Sequence, residues 1–141
     1  MLKFYIGSGL ERWEDVRALA RALERHGWKQ TYDWTAGLFR EKGPAELAEI
    51  ARLERQGVAD ADLVVILLPA GRGSHIELGM ALALGKPVAL CAEEERTFLG
   101  ERAVSFYELP QVDKLTGNPE AIAEKLVCRY GNLSRNPGLP S

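Results

Sequence analysis

Two glutamates stand where helical periodicity otherwise places apolar side chains. Glu77 is the only charged residue between Ile76 and Gly85, in a stretch that is apolar on nearly every side of a helix, so we expect that helix to be buried. A carboxylate in its first turn would be stabilised as an anion by the helix N-terminus and could serve as a nucleophile or an electrostatic stabiliser. Alternatively, the order Ser74-His75-Ile76-Glu77 matches a capping box, in which Glu77 only accepts a bond from a backbone N–H.

The second anomalous acid is Glu54. At about 100° per residue it falls within roughly 60° of the apolar stripe of Leu47, Ile50 and Ala51, near the helix end that faces the sheet. The alternative is that this helix end frays and Glu54 reaches solvent. Two carboxylates that converge on one cleft suit chemistry at the anomeric carbon of a sugar, because a retaining glycosidase uses one as nucleophile and the other to help the leaving group.

The elements that must position these acids alternate between strands and helices. Periodicity predicts strands over 2–6, 28–34, 61–68, 87–92 and 104–109, and helices over 11–26, 44–56, 74–84 and 119–129. This order predicts one domain over residues 1–130, a three-layer α/β/α fold with a mainly parallel five-stranded sheet, followed by a flexible tail over 131–141. Ligands of such sheets lie beyond the carboxyl ends of the strands, which places the turns at 7–9 and 69–74 at the functional edge.

Composition limits the classes of partner. The 141 residues are 46% hydrophobic and 27% charged, which is typical of a globular domain with a real core. A net charge of −2 with interspersed signs argues against nucleic acid and anionic membranes, so a small molecule or another protein is the expected partner. The apolar runs are too short to span a membrane. Cys91 and Cys128 form no CxxC pair, which favours a reducing, cytoplasmic setting.

Several catalytic and cofactor motifs are incomplete, so neither a metal nor a cofactor is predicted. The stretch 75–77 begins like a zinc deaminase signature but no P-C-x-x-C follows, and the glycine turns at 7–9 and 71–73 lack the third glycine of a dinucleotide fingerprint. Arg72, between two glycines at a helix N-terminus, could bind a phosphate, or could be a solvated turn arginine. Trp34 could stack on a base, although packing in the core or on the surface is the better explanation of this residue taken alone.

With these residues placed, the sequence resembles the nucleoside 2-deoxyribosyltransferase family, including relatives that hydrolyse nucleoside 5′-monophosphates, over about residues 4–109. The most specific part is GRGSHIELGMALALGKPV at 71–88, in which Glu77 falls on the family's nucleophile. The opening FYIGSG is similar to the family's first strand and glycine loop, and its Gly7-Ser8 pair resembles the one that touches phosphate in the monophosphate hydrolases. The family also places an acid eight residues before the last Asp of a stretch like ADADLVV, which is Glu54 here.

This chain departs from the family pattern at three points. The family's second acid is usually Asp rather than a Glu such as Glu54, and His75 takes a position that is often small or aromatic. A further Asp of the transferases is missing from the loop at 69–72, which together with Arg72 favours a nucleotide ligand.

The resemblance implies a flavodoxin- or Rossmann-like fold, a role in nucleotide salvage, and a double displacement. Glu77 attacks C1′ as the base leaves, another base or water resolves the glycosyl ester, and Glu54 holds the sugar or helps to protonate the base, with no metal or cofactor. The resemblance and the functional edge together predict substrate binding by Tyr5, Gly7, Ser8, Gly9, Trp34, Gly71, Arg72, Gly73, Ser74, His75 and Ser105.

Related enzymes are dimers or larger, and a neighbouring subunit completes each pocket from the region around 103–107. Ser105 is the candidate for that contribution, and an ordinary edge-strand serine is the alternative. A homodimer or larger homo-oligomer is therefore expected. Three competing functions stay open. They are a nucleotide sensor in which Glu77 only caps its helix, an NAD-cleaving relative, which ELGMALALGKPV argues against, and a plain scaffold.

Overall fold

A computed structural model describes residues 1–133. Its strands are β1 (Lys3–Ser8), β2 (Lys29–Gln30), β3 (Leu63–Leu67), β4 (Val88–Ala92) and β5 (Val112–Thr116). Its α-helices are α1 (Trp13–Glu24), α2 (Pro44–Asp60), α3 (Arg72–Ala83) and α4 (Pro119–Tyr130), and short 3-10 helices occupy Leu10–Arg12, Glu95–Phe98 and Ser105–Glu108. No helix among the described residues is both long and apolar enough to cross a membrane.

The five strands form one sheet in the order β2-β1-β3-β4-β5, and every neighbouring pair is parallel. Helices α1 and α4 pack on one face, and α2 and α3 on the other. The predicted three-layer α/β/α fold, of Rossmann or flavodoxin type, is confirmed. Because side chains alternate along a strand, Phe4 and Ile6 of β1 face α1 and α4, whereas Tyr5 faces α2 and α3.

The central strands β3 and β4 are buried along their whole length, as expected of parallel strands covered on both faces. The order in which strands are added across the sheet reverses at β1, because the next two strands of the sequence lie on opposite sides of it, β2 on one and β3 on the other. Ser8 pairs with Leu67 at the carboxyl ends of β1 and β3. This reversal opens a crevice beyond those two strand ends, where ligands of open α/β sheets bind.

Both edge strands differ from the sequence expectation. The predicted strand at 28–34 shortens to Lys29–Gln30, because the chain leaves the sheet once Thr31 has bonded to Phe4, and Trp34 turns its indole back to the carbonyl of Ile6. The predicted strand at 104–109 is wrong.

That segment forms a 3-10 helix at Ser105–Glu108, so Ser105 is not an edge-strand serine. The fifth strand comes later, at Val112–Thr116. It carries Asp113 and Lys114 at its centre and buries only Val112 and Leu115, so its apolar signal is weak.

The helices begin and end near the expected positions. Helix α1 is preceded by a 3-10 turn. Helix α2 continues one turn beyond the predicted end at 56 and ends at Asp60. Within α2 only Gly57 and Val58, in the last turn, are buried, and Leu47 near its start is exposed. The predicted tail at 131–141 lies mainly outside the described residues, of which 131–133 form a turn.

The sequence predicts that helix α3 is buried on every side, and the structure shows that one of its faces is exposed. Ser74, Glu77, Leu78 and Ala81 face the interior, whereas Ile76 is 61% exposed. A helix in an outer layer has one face on the sheet and one outside. The apolar outer residues of α3 therefore form a surface rather than a core.

Candidate active site

A cavity of about 460 Å³ lies beyond the carboxyl ends of β1 and β3. It is lined by Ser8, Gly9, Leu10, Glu11, Trp34, Glu54, Gly71, Arg72, Gly73, Ser74 and Glu77. Both predicted catalytic acids and seven of the predicted substrate-binding residues therefore border one space. The parallel topology brings them together because it places the ends of β1 and β3 and the start of α3 at the same edge of the sheet.

Glu77 and Glu54 meet at the hydroxyl of Tyr5. The phenol donates to Glu77 Oε2 at 2.7 Å, and the same hydroxyl lies 3.5 Å from Glu54 Oε2. Tyr5 is fully buried on β1 and points toward α2 and α3, which carry the two acids. Tyr5 lies beneath the cavity and fixes the orientation of one carboxylate within reach of the other.

The Glu77 carboxyl, only 6% exposed, prefers its protonated form in this setting. Burial raises the pKa of Glu77 to about 8; the Tyr5 hydrogen bond opposes this increase, while repulsion from Glu54 and a hydrogen bond with it add to the increase. Burial and the two nearby carboxylates also raise the pKa of Tyr5, so Tyr5 stays a neutral donor. The Glu77 carboxyl therefore keeps its proton at neutral pH.

The capping-box interpretation of Glu77 is wrong. Helix α3 begins at Arg72 with Gly71 as its N-cap, so Ser74 lies inside the first turn, where its hydroxyl donates to the Gly71 carbonyl. Glu77 lies in the second turn rather than the first. Its hydrogen bond comes from the side chain of Tyr5 instead of a backbone N–H. Its burial therefore has no capping role to explain it.

Two glycines make room for this network. A Cβ on Gly7 would lie 2.7 Å from Glu77 Oε1, so any larger residue at position 7 would displace the carboxylate. A Cβ on Gly57, one turn after Glu54, would lie 2.9 Å from Tyr5 Cδ1 and 3.0 Å from Tyr32 Cβ. The Gly57 carbonyl is itself fixed by the Thr31 hydroxyl at 2.7 Å. The sequence gives no signal of the role of Gly57, because the close approach arises from the packing of α2 on β1.

The loops around the cavity are tied to the strand ends. Arg12 is buried and donates to the Leu68 carbonyl at 2.5 Å, while Asp15 accepts from the other side of its guanidinium. The Gly9 N–H donates to the carbonyl of Pro69, the residue joined to Leu68 by a cis peptide bond. The hydroxyl of Ser8 donates to the Leu67 carbonyl rather than into the cavity. These bonds hold the β1 and β3 loops against each other.

The wall and the mouth of the cavity come from different segments. Trp34 forms the wall, fixed by a 2.7 Å bond from its indole N–H to the Ile6 carbonyl. Arg72 is exposed at the N-terminus of α3, where the first backbone N–H groups have no partner within the helix. Leu10 and Glu11 border the cavity and were missed by the sequence interpretation. Their position directly after the glycine turn at 7–9 could have indicated them.

Two predicted site residues lie elsewhere. His75 and the 3-10 helix at Ser105–Glu108 border a second depression, an apolar groove of about 570 Å³. We call this surface the α3 groove. Its lining residues are His75, Leu78, Gly79, Leu82, Ala83, Val104, Phe106 and Leu109. Ser105 is exposed beside it and does not line the cavity of its own chain.

Acid chemistry dominates the cavity. It holds three carboxyl groups, from Glu11, Glu54 and Glu77, and one guanidinium, from Arg72. Within residues 1–133, no three His, Cys, Asp or Glu side chains are grouped so that they could hold a metal ion. The arrangement can present a sheltered carboxylate to an electrophilic carbon, with a second carboxyl group beside it to move a proton.

Comparisons with known proteins identify the family of the chain and support its fold. The sequence model of a family described as nucleoside 2-deoxyribosyltransferase matches residues 5–136. Among solved structures, CMP N-glycosidase BcmB from Clostridium botulinum superimposes with a TM-score of 0.62 at 18% identity, covering 88% of this chain and 97% of that chain. At that identity the likeness shows the fold alone. None of the curated proteins matches the sequence significantly.

Proposed function

Because the chain belongs to the nucleoside 2-deoxyribosyltransferase family, we propose that it cleaves the N-glycosidic bond of a nucleoside or a nucleoside 5′-monophosphate. The observation that carries this proposal is the Glu77–Tyr5–Glu54 network at the base of the cavity. The structural neighbour is described as a glycosidase of a nucleoside monophosphate, which is consistent with the same bond.

In the proposed first step, a Glu77 oxygen attacks C1′ of the sugar. The new C1′–O ester bond forms as the C1′–N bond breaks through an oxocarbenium-like state, and the bonding electrons leave with the base. The Tyr5 hydroxyl holds the attacking carboxylate in one orientation throughout. In the second step water, or the nitrogen of another base, attacks C1′ and releases Glu77.

The proton on Glu77 gives Glu54 its role. Glu77 must be ionised to attack, so its proton passes to Glu54, whose oxygen faces the same phenol at 3.5 Å. Glu54 then protonates the departing base, and water or the acceptor base returns a proton in the second step. This sequence balances one proton per half-reaction and needs no group beyond the pair. Glu54 replaces the family's usual Asp with a side chain one methylene longer, which extends its reach from α2.

The phosphate end of the substrate belongs at the start of α3. The unpaired N–H groups of its first turn and the guanidinium of Arg72 border the cavity, and both favour an anion. Gly7 and Ser8 support the floor of the pocket, while Gly9, Gly71, Gly73 and Ser74 line it. Trp34 would stack on the base. C1′ must then lie within reach of Glu77, which lines the same cavity.

Assembly of two chains would complete the pocket. The α3 groove is apolar, and Phe106 at its border is 58% exposed. Ile76, on the outer face of α3, is also exposed, at 61%. A second copy of this chain is its proposed occupant, since the groove adjoins the helix that carries the cavity residues. Ser105, exposed beside the groove, would then face the partner's pocket. Both cysteines are free thiols, which supports a reducing, cytoplasmic setting. The proposed cleavage would give the protein a role in nucleotide salvage.

Chromatography after incubation with nucleosides, nucleoside monophosphates and NAD tests the activity. Release of free base without an acceptor identifies a hydrolase, and base exchange that requires an acceptor identifies a transferase. Cleavage of NAD alone would support the NAD-cleaving alternative. Tight binding of a nucleotide without any cleavage would contradict the proposal and support a sensor of the same fold.

A further inference from the structure

His75 links the cavity loop to the α3 groove. Its Nδ1 lies 2.8 Å from the Gly71 carbonyl, and its Nε2 lies 2.7 Å from the Tyr107 hydroxyl. The imidazole also stacks on the Tyr107 ring, with centroids 5.9 Å apart and planes inclined by 18°. Both ring nitrogens are therefore engaged within the fold.

These contacts determine the tautomer of His75. A backbone carbonyl only accepts hydrogen bonds, so Nδ1 must carry the hydrogen that faces Gly71. In the neutral imidazole Nε2 then has a lone pair, and the Tyr107 hydroxyl donates to it. Free histidine favours the opposite tautomer, so the fold selects this one.

The two partners of His75 belong to different functional surfaces. Gly71 is the N-cap of α3 and lines the cavity. Tyr107, 2% exposed, anchors the 3-10 helix at Ser105–Glu108, whose Phe106 borders the α3 groove. The Ser74 hydroxyl also donates to the Gly71 carbonyl, so this one oxygen connects the pocket loop to His75.

We propose that His75 is a positioning residue that holds the Gly71 loop and the Ser105–Glu108 helix in fixed relation, so that substrate binding and association of two chains are coupled through it. This inference rests on the proposed function. His75 touches neither the sugar nor the base. It acts through Gly71 on the bound substrate and through Tyr107 on the groove.

A nitrogen-15 NMR spectrum of the imidazoles tests the geometry without reference to activity. The chain has two histidines, and His26 is exposed, so a His26→Gln variant assigns the signals. We expect His75 to show a protonated Nδ1 and an unprotonated Nε2 at pH 7.5, with the Nε2 signal shifted by Tyr107→Phe. A His75 spectrum with the hydrogen on Nε2, or one unaffected by Tyr107→Phe, would overturn the proposal.

Kinetics and assembly test the coupling. His75→Asn keeps a donor for the Gly71 carbonyl but loses the Tyr107 bond, and Tyr107→Phe loses the same bond from the other side. We expect each variant to raise KM roughly 5- to 10-fold, leave kcat within about twofold, and weaken association by a similar factor. Because they remove one interaction, the double variant should be no worse than either single variant.

The matched control is Tyr130→Phe, which removes a hydroxyl bonded to Asp113 far from both surfaces and should change neither KM nor association. Unchanged KM and association in both test variants, or additive losses in the double variant, would overturn the proposal even if melting temperatures fall. If the wild-type chain cleaves no substrate, the proposed function fails. The NMR spectrum and the dilution series for association would still decide whether His75 joins the two surfaces.

Discussion

The Tyr5 hydroxyl lies 2.7 Å from Glu77 Oε2, although the two residues are 72 positions apart in the chain. One residue is on the strand β1 and the other on the helix α3 that covers it. The bond favours the charged form of a carboxyl group that burial otherwise keeps protonated. Glu77 is thus protonated at neutral pH, and its ionisation depends on Tyr5 and Glu54.

Glu77→Gln should abolish cleavage and stabilise the fold at high pH. We expect kcat to fall by roughly a thousandfold or more. The folded-state pKa of Glu77, about 8, lies above its ordinary value of 4.5, so the unfolded chain loses this proton first as pH rises. The free energy of unfolding of the wild type therefore decreases as pH rises from 4.5 to about 8. The glutamine variant does not lose this stability, so at pH 8 it should be more stable than the wild type by roughly 1–3 kcal/mol.

Thermal melts at pH 5 and pH 8, beside product assays, measure both effects. Glu124→Gln, an exposed acid on α4, is the control and should change neither. A capping role predicts the opposite pattern, a loss of about 0.5–2 kcal/mol with turnover retained. That result would remove Glu77 from the proposed mechanism.

Tyr5→Phe and Glu54→Gln should change the pH profile of kcat/KM in different ways. The proposed first step uses the proton that Glu77 passes to Glu54, so kcat/KM should fall as pH rises through the pKa of Glu77 in the free protein. Removing the phenol removes a contact that lowers this pKa, so the falling limb moves to higher pH, by roughly one unit. Glu54→Gln removes the group that receives the proton, so kcat/KM should drop roughly 100-fold or more and should rise, rather than fall, as Glu77 loses its proton. The same pH profile in both variants would contradict the proposed transfer of a proton from Glu77 to Glu54.

Gly57→Ala should impair catalysis from outside the cavity. The new methyl group would lie 2.9 Å from Tyr5 Cδ1, and the tyrosine must move with its hydrogen bond. We expect kcat/KM to fall roughly 10- to 100-fold, since misplacement of a catalytic group by about 1 Å has that effect. Gly43→Ala, at the N-cap of the same helix, meets no atom within 4 Å and should retain full activity. Wild-type kinetics in Gly57→Ala would mean that Tyr5 does not position Glu77.

Sequence patterns predict the central strands of the sheet correctly, because a continuous apolar run there has a single interpretation. The continuous apolar runs of β3 and β4 indicate strands covered on both faces, and alternation with helices implies parallel pairing. The edge strand β5 escaped because it has one neighbour and keeps Asp113 and Lys114 at its centre. The segment 104–109 resembles a strand in composition because it carries two adjacent aromatic residues, but it forms a 3-10 helix that buries Tyr107 and exposes Phe106.

The sequence indicates individual residues of the candidate site but not the contacts between them. Glu77 was identifiable because a lone acid in an apolar helix is unusual, and Glu54 because it interrupts a stripe. The partnership of Glu77 with Tyr5 depends on register between distant elements, which no local pattern encodes. His75 was expected to touch substrate, and both of its nitrogens are instead bonded within the fold.

Arg72→Ala should distinguish a monophosphate substrate from a nucleoside. Arg72 is the one cation that lines the cavity within residues 1–133, beside the free N–H groups of α3. We expect the Kd for a nucleoside monophosphate to rise roughly tenfold or more, and the Kd for the nucleoside to change less than about twofold. Calorimetry with both ligands measures this, and Arg55→Ala, exposed on α2 outside the cavity, is the control. Equal affinities and a neutral Arg72→Ala would favour a nucleoside transferase.

Phe106→Glu should separate the chains and lower activity together. Phe106 is exposed at the border of the apolar α3 groove, so a carboxylate there would be desolvated in any assembly that covers the groove. Light scattering of the wild type at micromolar concentration should give at least twice the 15.6 kDa of one chain. We expect the variant to associate roughly 100-fold more weakly, since a buried aromatic anchor commonly carries that much binding energy.

The kcat/KM of the Phe106→Glu variant should fall with dilution, because each pocket loses the contribution of Ser105 from the partner. Phe39→Glu is the matched control for this experiment. Phe39 is 79% exposed but packs on Trp13, away from the groove, so the same substitution there should leave the assembly intact. A wild-type protein that is monomeric at micromolar concentration and still turns over substrate would refute both the shared pocket and the α3 groove as the contact between chains.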